Sequence, residues 1–248
     1  MLILLPPSET KRDGGVTGSA LDLGALSFPE LTAARRSALR GLRSVSKSVS
    51  ASMSALRLGT TQRFEIDRNR AVSVSPVMPA IDRYTGVLYD ALDAASLSPS
   101  ARKFLSQTTI IHSALFGLIR AEDSIPAYRF SHDTRVPGTP LGSLWREANA
   151  AVLAAWSGLI LDLRSESYVH LGSAPVREGS FFVRVVSEDA SGRRRALNHF
   201  NKHGKGALVR ALAQAGEDHS SVDSLLDWAT RSGVRIEPGV PGELDLVV

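Results

Sequence analysis

MLILLPPSETKR, Met1–Arg12, is the stretch on which the fold turns. Its first five residues are apolar without alternation, as in a strand buried on both faces. Pro6-Pro7 ends the run at once. The start carries no basic residues, so a buried strand is the reading and a secretory signal is not. The loop Pro6–Ser19 is rich in Ser, Thr, Gly and charge. A loop directly after a buried strand is a common place for chemistry in sheets that carry helices.

Working outward, Leu159–Leu163 reads as a second buried strand, so the loops after both strands can converge. From Pro29, Leu39, Leu42, Val45, Val49, Met53 and Leu56 recur at three and four residues and share a helical face. Arg36, Arg40, Arg43 and Lys47 run along another face. Ala71–Val77 is a short strand or an extended connection. Asp82–Leu92 starts as a helix. Ser98 as N-cap and Pro99 at the first helical position begin a further helix toward Gln107. Thr108–Ile119 is either a strand and a turn or a core helix, and length does not decide. Leu144–Trp156 has a helical apolar face. Phe181–Ser187 and Arg193–Phe200 form a hairpin around Ala190-Ser191-Gly192. Lys205–Ala215 and Val222–Ser232 are helices, and Val234–Glu237 and Glu243–Val248 closing strands. No repeat, low-complexity segment or linker interrupts this order. The expectation is one α+β domain, a mixed β-sheet flanked by helices.

The 248 residues are 43% hydrophobic, ample for one core. No apolar run approaches the roughly 20 residues of a membrane span, so no membrane partner is expected. Cysteine is absent, which excludes disulfide scaffolds, thiolate metal sites and cysteine nucleophiles. A reducing cytoplasm suits that composition. The net charge is only +4, but it is unevenly spread. Ala33–Arg70 holds nine Lys and Arg against Glu65 and Asp67, Ala190–Gly216 six and no acid, and Glu217–Val248 seven acids against Arg231 and Arg235. A surface polarised in this way attracts phosphate-bearing partners, although a solvated basic face accounts for it equally.

No Walker loop, dinucleotide-binding glycine fingerprint, zinc-protease helix or nucleophile elbow is present. His199 and His203 have i,i+4 spacing but no third ligand nearby, so neither a metal site nor a cofactor is expected. Four short clusters carry chemistry. Ser8, Glu9, Thr10 and Lys11 bring a carboxylate, two hydroxyls and an ammonium together; a lysine beside an acid can act as base or phosphate ligand, or the loop can satisfy its own backbone. Arg120, Asp123, Tyr128 and Arg129 suit a fixed ion pair or recognition of a planar or phosphorylated ligand. Tyr84 before Thr85-Gly86 can stack on a base or fill the core. Lys202 and Lys205 flank a glycine, and Gly206 opens an apolar helix, a plausible anion site or an ordinary solvated loop.

In order along the chain, these segments resemble the peroxide stress protein YaaA family. The resemblance rests on LILLPPSETK (Leu2–Lys11), YTG (Tyr84–Gly86), HSALFGLIRAEDSIPAYR (His112–Arg129), LW (Leu144-Trp145), LRSESY (Leu163–Tyr168) and FNKHGKG (Phe200–Gly206). Within the third, Ser113, Phe116, Gly117, Arg120, Asp123, Tyr128 and Arg129 fall in place. There are departures. Glu9 stands where other members carry Lys, with Lys11 two residues later. Ala121 replaces a Pro, Ser167 stands where a Glu precedes the Tyr, and His203 and Lys205 replace Lys and Arg. The pattern is that of a divergent, actinobacterial-like branch. The resemblance implies the compact α+β fold sometimes called the cantaloupe fold, a basic cleft, a helix-hairpin-helix-like element near Asp82–Gln107, DNA binding, and protection from peroxide by limiting free intracellular iron.

Two functions follow. The first, favoured by the resemblance, is a cytoplasmic DNA-binding stress protein with Arg36, Arg40, Arg43, Lys47, Lys202 and Lys205 on phosphates. The second is an enzyme on a small phosphorylated or nucleotide-like ligand. Its ligand site would gather Ser8, Thr10, Lys11, Tyr84, Thr85, Arg120, Tyr128, Arg129, Lys202, Lys205 and Gly206, with Glu9, Lys11, Arg120 and Asp123 as candidate catalytic groups. The N-terminal loop, the Arg120–Arg129 stretch and the Lys202–Gly206 loop are expected to meet at one anion-binding cleft.

Overall fold

Residues Leu2 to Leu5 are each exposed by 1% or less, and the strand they form has a parallel neighbour on either side. The computed structural model describes residues 1–138, 140–189, 193–196 and 201–248. Its first half runs β1 (Leu2–Leu5), α1 (Thr32–Ser46), α2 (Val49–Ala55), α3 (Phe64–Arg70), β2 (Met78–Pro79), α4 (Ala80–Arg83), α5 (Val87–Leu92), α6 (Pro99–Thr108), β3 (Thr109–Ser113), β4 (Gly117–Arg120) and β5 (Ser124–Ile125). Then come α7 (Leu141–Ala154), β6 (Ile160–Asp162), α8 (Glu166–Val169), β7 (Ser180–Glu188), β8 (Arg194–Ala196), α9 (Asn201–Ala215), α10 (Val222–Arg231), β9 (Ile236–Pro238) and β10 (Glu243–Val247).

The main sheet has the order β4-β3-β1-β6-β7-β10-β9, with β8 paired to the far end of β7. Its centre is parallel from β3 to β10, and β4, β8 and β9 attach antiparallel. The register sets Ile3 beside Thr109 on one side and Leu161 on the other. Helices cover it: α9 packs on β7, α5 and α6, and α7 packs on β4 and α1. The result is the expected α+β domain with a mixed sheet flanked by helices. Among the described residues no helix is long and apolar enough to cross a membrane.

Local chemistry explains most boundaries. Ser98 Oγ accepts from Ala101 N and Pro99 opens α6, as its sequence requires. The open choice at Thr108–Ile119 resolves as strand, turn, strand, because Ser113 Oγ accepts from Leu115 N at 3.1 Å and Phe116 N at 3.0 Å and closes the turn. The long apolar face from Leu39 to Leu56 is split into α1 and α2, since Ser48 caps a new helix by accepting from Ala51 N. Ala71–Val77 holds turns instead of a strand, and Val74 is 74% exposed. The helix expected from Lys205 starts at Asn201. The hairpin partners β7 and β8 pair as read, while the Ala190–Gly192 turn lies outside the described residues.

Candidate functional site

The carboxyl ends of β1 and β6 lie side by side. The chain leaves β1 for β3 on one side and leaves β6 for β7 on the other. Loops part at such a reversal and open a crevice. A cavity of about 530 Å³ occupies this one. Its floor is the loop Pro6–Thr10 after β1 and Leu163, Ser165 and Tyr168 after β6. Its walls are Thr85–Tyr89 at the start of α5, Phe130–His132, and Asn201, Lys202 and Lys205 from the first turns of α9. One part of this lining is the hydroxyls of Ser8, Thr10, Thr85 and Ser165 with Lys202, Lys205 and the Glu9 carboxylate; another is Tyr89, Phe130, Leu163 and Tyr168.

The first loop is held by pairing with a distant segment. Lys11 bridges Tyr84, and Thr85 N donates to Thr10 O at 3.2 Å. Thr10 Oγ1 donates to Thr85 O at 3.2 Å, and Ser8 Oγ accepts from Thr10 N at 3.3 Å. Gly86 has φ +96°, and a Cβ there would stand 3.3 Å from both Ser8 Oγ and Thr10 Oγ1. A glycine therefore lets α5 begin against the loop. Lys11 lies behind it, 7% exposed. Its Nζ donates to Ser8 O at 2.9 Å and Glu9 O at 3.2 Å and sits 4.1 Å from the Tyr128 ring centre. Burial lowers its pKa to about 7.

Glu9 lines the cavity and takes Arg129 Nη2 at 2.6 Å, while Arg129 Nε is buried without a partner among the described residues. Beneath lies a chain of hydroxyls: Tyr84 to Tyr128 at 2.6 Å, and Tyr128 to Ser113 at 2.7 Å. Ser113 Oγ already accepts from two backbone N–H groups, so it donates to Tyr128, and Tyr128 donates to Tyr84. Burial pushes Tyr84, Tyr89 and Tyr168 well above the ordinary phenol range and Tyr128 to about 12. All four are neutral hydrogen-bonding groups at neutral pH.

On the α9 side, Lys205 is 4% exposed and donates to Arg164 O at 3.3 Å, and burial lowers its pKa to about 8. Arg164 is wholly buried and grips Asp162 with Nε at 2.8 Å and Nη2 at 2.5 Å. Its Nη1 lies 2.8 Å from His112 Nδ1, and Asn149 Nδ2 lies 2.8 Å from Nε2. The ring faces a nitrogen on each side, and burial with Arg164 holds His112 neutral. Tyr168 joins this network to the cavity, with its ring 5.6 Å from His112 and 5.4 Å from His132.

Ser8, Glu9, Thr10, Thr85, Lys202 and Lys205 thus share one cavity. Lys11, Tyr84, Tyr128 and Arg129 back it, as the contacts above show. Arg120 and Asp123 are elsewhere. Arg120 Nη1 donates to Gln107 O, and its guanidinium lies 5.7 Å from the Phe28 ring. Asp123 accepts from Ser27 N, Ser27 Oγ and Arg120 N and so pins a turn. The stretch read as one cluster divides because β5, Ser124–Ile125, lies between Asp123 and Tyr128. Gly206 opens no helix. It lies in the second turn of α9, where a Cβ would stand 2.1 Å from Leu88 O, so it serves the α5–α9 contact. His199 and Phe200 lie outside the described residues. The sequence reading singled out neither His132, Ser165, Tyr168 nor Asn201; LRSESY was noted only as a family-like stretch.

Arg36, Arg40, Arg43 and Lys47 are all exposed along α1, and none is in an ion pair among the described residues. In the second basic segment, Arg194 is the residue that reaches the acidic tail, while Arg193 pairs with Asp189 and Arg210 with Asp93. Arg194 pairs with Glu188 at 3.3 Å, with Asp245 at 3.2 Å and with Glu237. Arg235 meets Glu188 at 3.0 Å. Among the described residues no three His, Asp or Glu side chains gather as a metal site. The region Asp82–Gln107 holds the Tyr84–Gly86 turn, α5, a short 3₁₀ turn at Ala94–Ser96 and α6. Arg210 closes it, with Nη1 on Leu92 O at 2.9 Å and Asp93 O at 3.0 Å.

The chain is similar to a UPF0246 protein of Corynebacterium efficiens, 43% identical over 242 residues that cover 96% of this chain and 95% of that one. A UPF0246 protein of Corynebacterium glutamicum is 42% identical over 256 residues, covering all of both. One of Streptomyces coelicolor is 37% identical over 262 residues, 100% of this chain and 98% of that one. The family model described as peroxide stress protein YaaA matches residues 1–237. The chain belongs to the peroxide stress protein YaaA family.

Proposed function

We propose that this chain serves a cytoplasmic response to peroxide through a cleft that holds a small phosphorylated or nucleotide-like molecule. The observation that carries this reading is the cavity at the β1–β6 reversal, where Lys202 and Lys205 meet the hydroxyls of Ser8, Thr10, Thr85 and Ser165. Ammonium and hydroxyl donors converging on a recess suit phosphate oxygens. Tyr89, Phe130 and Tyr168 offer the apolar remainder against which a base or other planar group could lie. A convex nucleic-acid surface needs positive charge but no such recess. Any lowering of free intracellular iron is then indirect, through the ligand or its product. Titration calorimetry with inorganic pyrophosphate and nucleoside diphosphates tests the proposal. Saturable binding that weakens by about 1 kcal/mol or more in Lys202→Ala supports it; no binding to any phosphate-bearing small molecule contradicts it.

A second reading has its own observation. The stripe Arg36, Arg40, Arg43 and Lys47, with no ion pair among the described residues, lies along one exposed face of α1 and its C-cap. It suits the phosphates of a duplex, with affinity that tolerates sequence and falls with salt. The helices of the Asp82–Gln107 region would add a helix-hairpin-helix-like contact.

A further inference from the structure

We propose that Lys205 forms an imine with a phosphate-bearing aldehyde or ketone held in the cleft, an inference that rests on the cleft being a site for small phosphorylated molecules. The chain has 24 arginines and only five lysines, Lys11, Lys47, Lys103, Lys202 and Lys205. Every side-chain ion pair among the described residues uses an arginine. Where the fold needs only a fixed positive charge, it uses guanidinium. Yet two lysines line the cavity and a third lies directly behind it.

Of these three, Lys205 alone is both buried and part of the cavity lining. Among the described residues no carboxylate is in an ion pair with it. Its bond to Arg164 O is long at 3.3 Å, and the Phe182 ring centre is 5.1 Å away. A guanidinium at this position could not condense in this way, whereas the Lys205 amine can. Burial has already lowered its pKa to about 8, which leaves roughly a tenth of it neutral at pH 7. Lys202 is one turn earlier on the same helix face and exposed, suited to the phosphate.

In the reaction the Lys205 Nζ lone pair attacks the carbonyl carbon. The C=O π pair moves to oxygen, which takes a proton, and nitrogen loses one. The carbinolamine hydroxyl then takes up a proton and leaves as water, while nitrogen forms the C=N bond and gives up its second proton. One amine and one carbonyl give one imine and one water, with no oxidant or reductant.

The probe is pyridoxal 5′-phosphate, an aldehyde that carries a phosphate. The full chain is incubated with it at pH 8 and reduced with borohydride, and peptide mapping locates the adduct. With only five lysines the map is unambiguous. The expected result is labelling of Lys205 about tenfold above Lys47 and Lys103, blocked by pyridoxine 5′-phosphate, the alcohol that cannot condense, and lost in Lys205→Arg. Equal labelling of all lysines, or labelling centred on Lys202, overturns the proposal. Binding of pyridoxine 5′-phosphate in the cleft with no Lys205 adduct overturns the imine but leaves the phosphate site standing. If neither compound binds, both readings fall. Mapping of the wild-type chain decides even if Lys205→Arg does not fold.

Discussion

Gly206→Ala separates a packing role from an anion-binding one. A Cβ on Gly206 would stand 2.1 Å from Leu88 O, 2.9 Å from Ala91 Cβ and 3.0 Å from Leu88 C. Carbon contacts settle at about 3.5 Å, so α5 and α9 must part by roughly 1 Å. The struck atom is backbone, and no rotamer change relieves it. Helix propensity returns about 1 kcal/mol in favour of Ala. Overpacking at a rigid contact costs about 3 kcal/mol. The net expectation is a loss of about 2 kcal/mol, or about 5 °C in Tm for a chain of this size. Gly204→Ala is the control: its Cβ meets only side-chain atoms, Val248 Cγ1 at 3.1 Å and Val185 Cγ1 at 3.3 Å, which can give. It should change stability by less than about 1 kcal/mol. Urea denaturation of the three proteins measures this. A Gly206→Ala protein as stable as wild type, with phosphate binding alone lost, would refute the packing argument and restore Gly206 to the anion site.

Other outcomes follow from the same geometry. Asp162→Asn should destabilise by about 3 kcal/mol, because it leaves the wholly buried Arg164 without its carboxylate; a change under about 0.5 kcal/mol in urea denaturation would sink that view. Lys11 and Lys205 are both held below the unfolded lysine value by burial. Between pH 7 and about 10 the unfolded chain binds more protons at these two positions, so their contribution to stability rises with pH across that window. Lys11→Met should flatten the rise; an unchanged slope counts against a buried, partly neutral Lys11. If duplex DNA binds along α1, reversing Arg36, Arg40, Arg43 and Lys47 to Glu should reduce the slope of log affinity against log salt by about 3.6, while an unaltered slope places any DNA elsewhere.

Features set by adjacent residues were legible before the structure, and those set by distant contacts were not. The unbroken apolar run of β1, and Ser98 with Pro99 at the start of α6, depend on neighbours in sequence alone. The start of α9 was missed because Asn201-Lys202-His203-Gly204-Lys205-Gly206 carries two poor helix formers. Its helix is stabilised by Gly204 against Val185 and Val248 and by Gly206 against Leu88, contacts that no local pattern displays. Glu9, Thr10 and Lys11 were recognised as a polar group, but their arrangement depends on pairing with Tyr84 and Thr85. Arg120 and Asp123 sit close to Arg129 in sequence, yet the end of β4 turns them toward Gln107 and Ser27. Charge pairing depends on distant contacts in the same way: the sheet sets Arg194 of the basic segment beside Glu237 and Asp245 of the acidic tail and beside Glu188, which no sequence spacing displays.

The cleft, not the α1 stripe, is the centre of this account. Equilibrium binding of a nucleoside diphosphate to two variants tests it most directly. One carries Lys202→Ala in the cavity lining; the other carries Glu at Arg36, Arg40, Arg43 and Lys47 along α1. The account predicts that the cavity variant loses affinity about fivefold or more while the α1 variant binds as wild type does. Undiminished affinity in the cavity variant, with loss in the α1 variant, would contradict it.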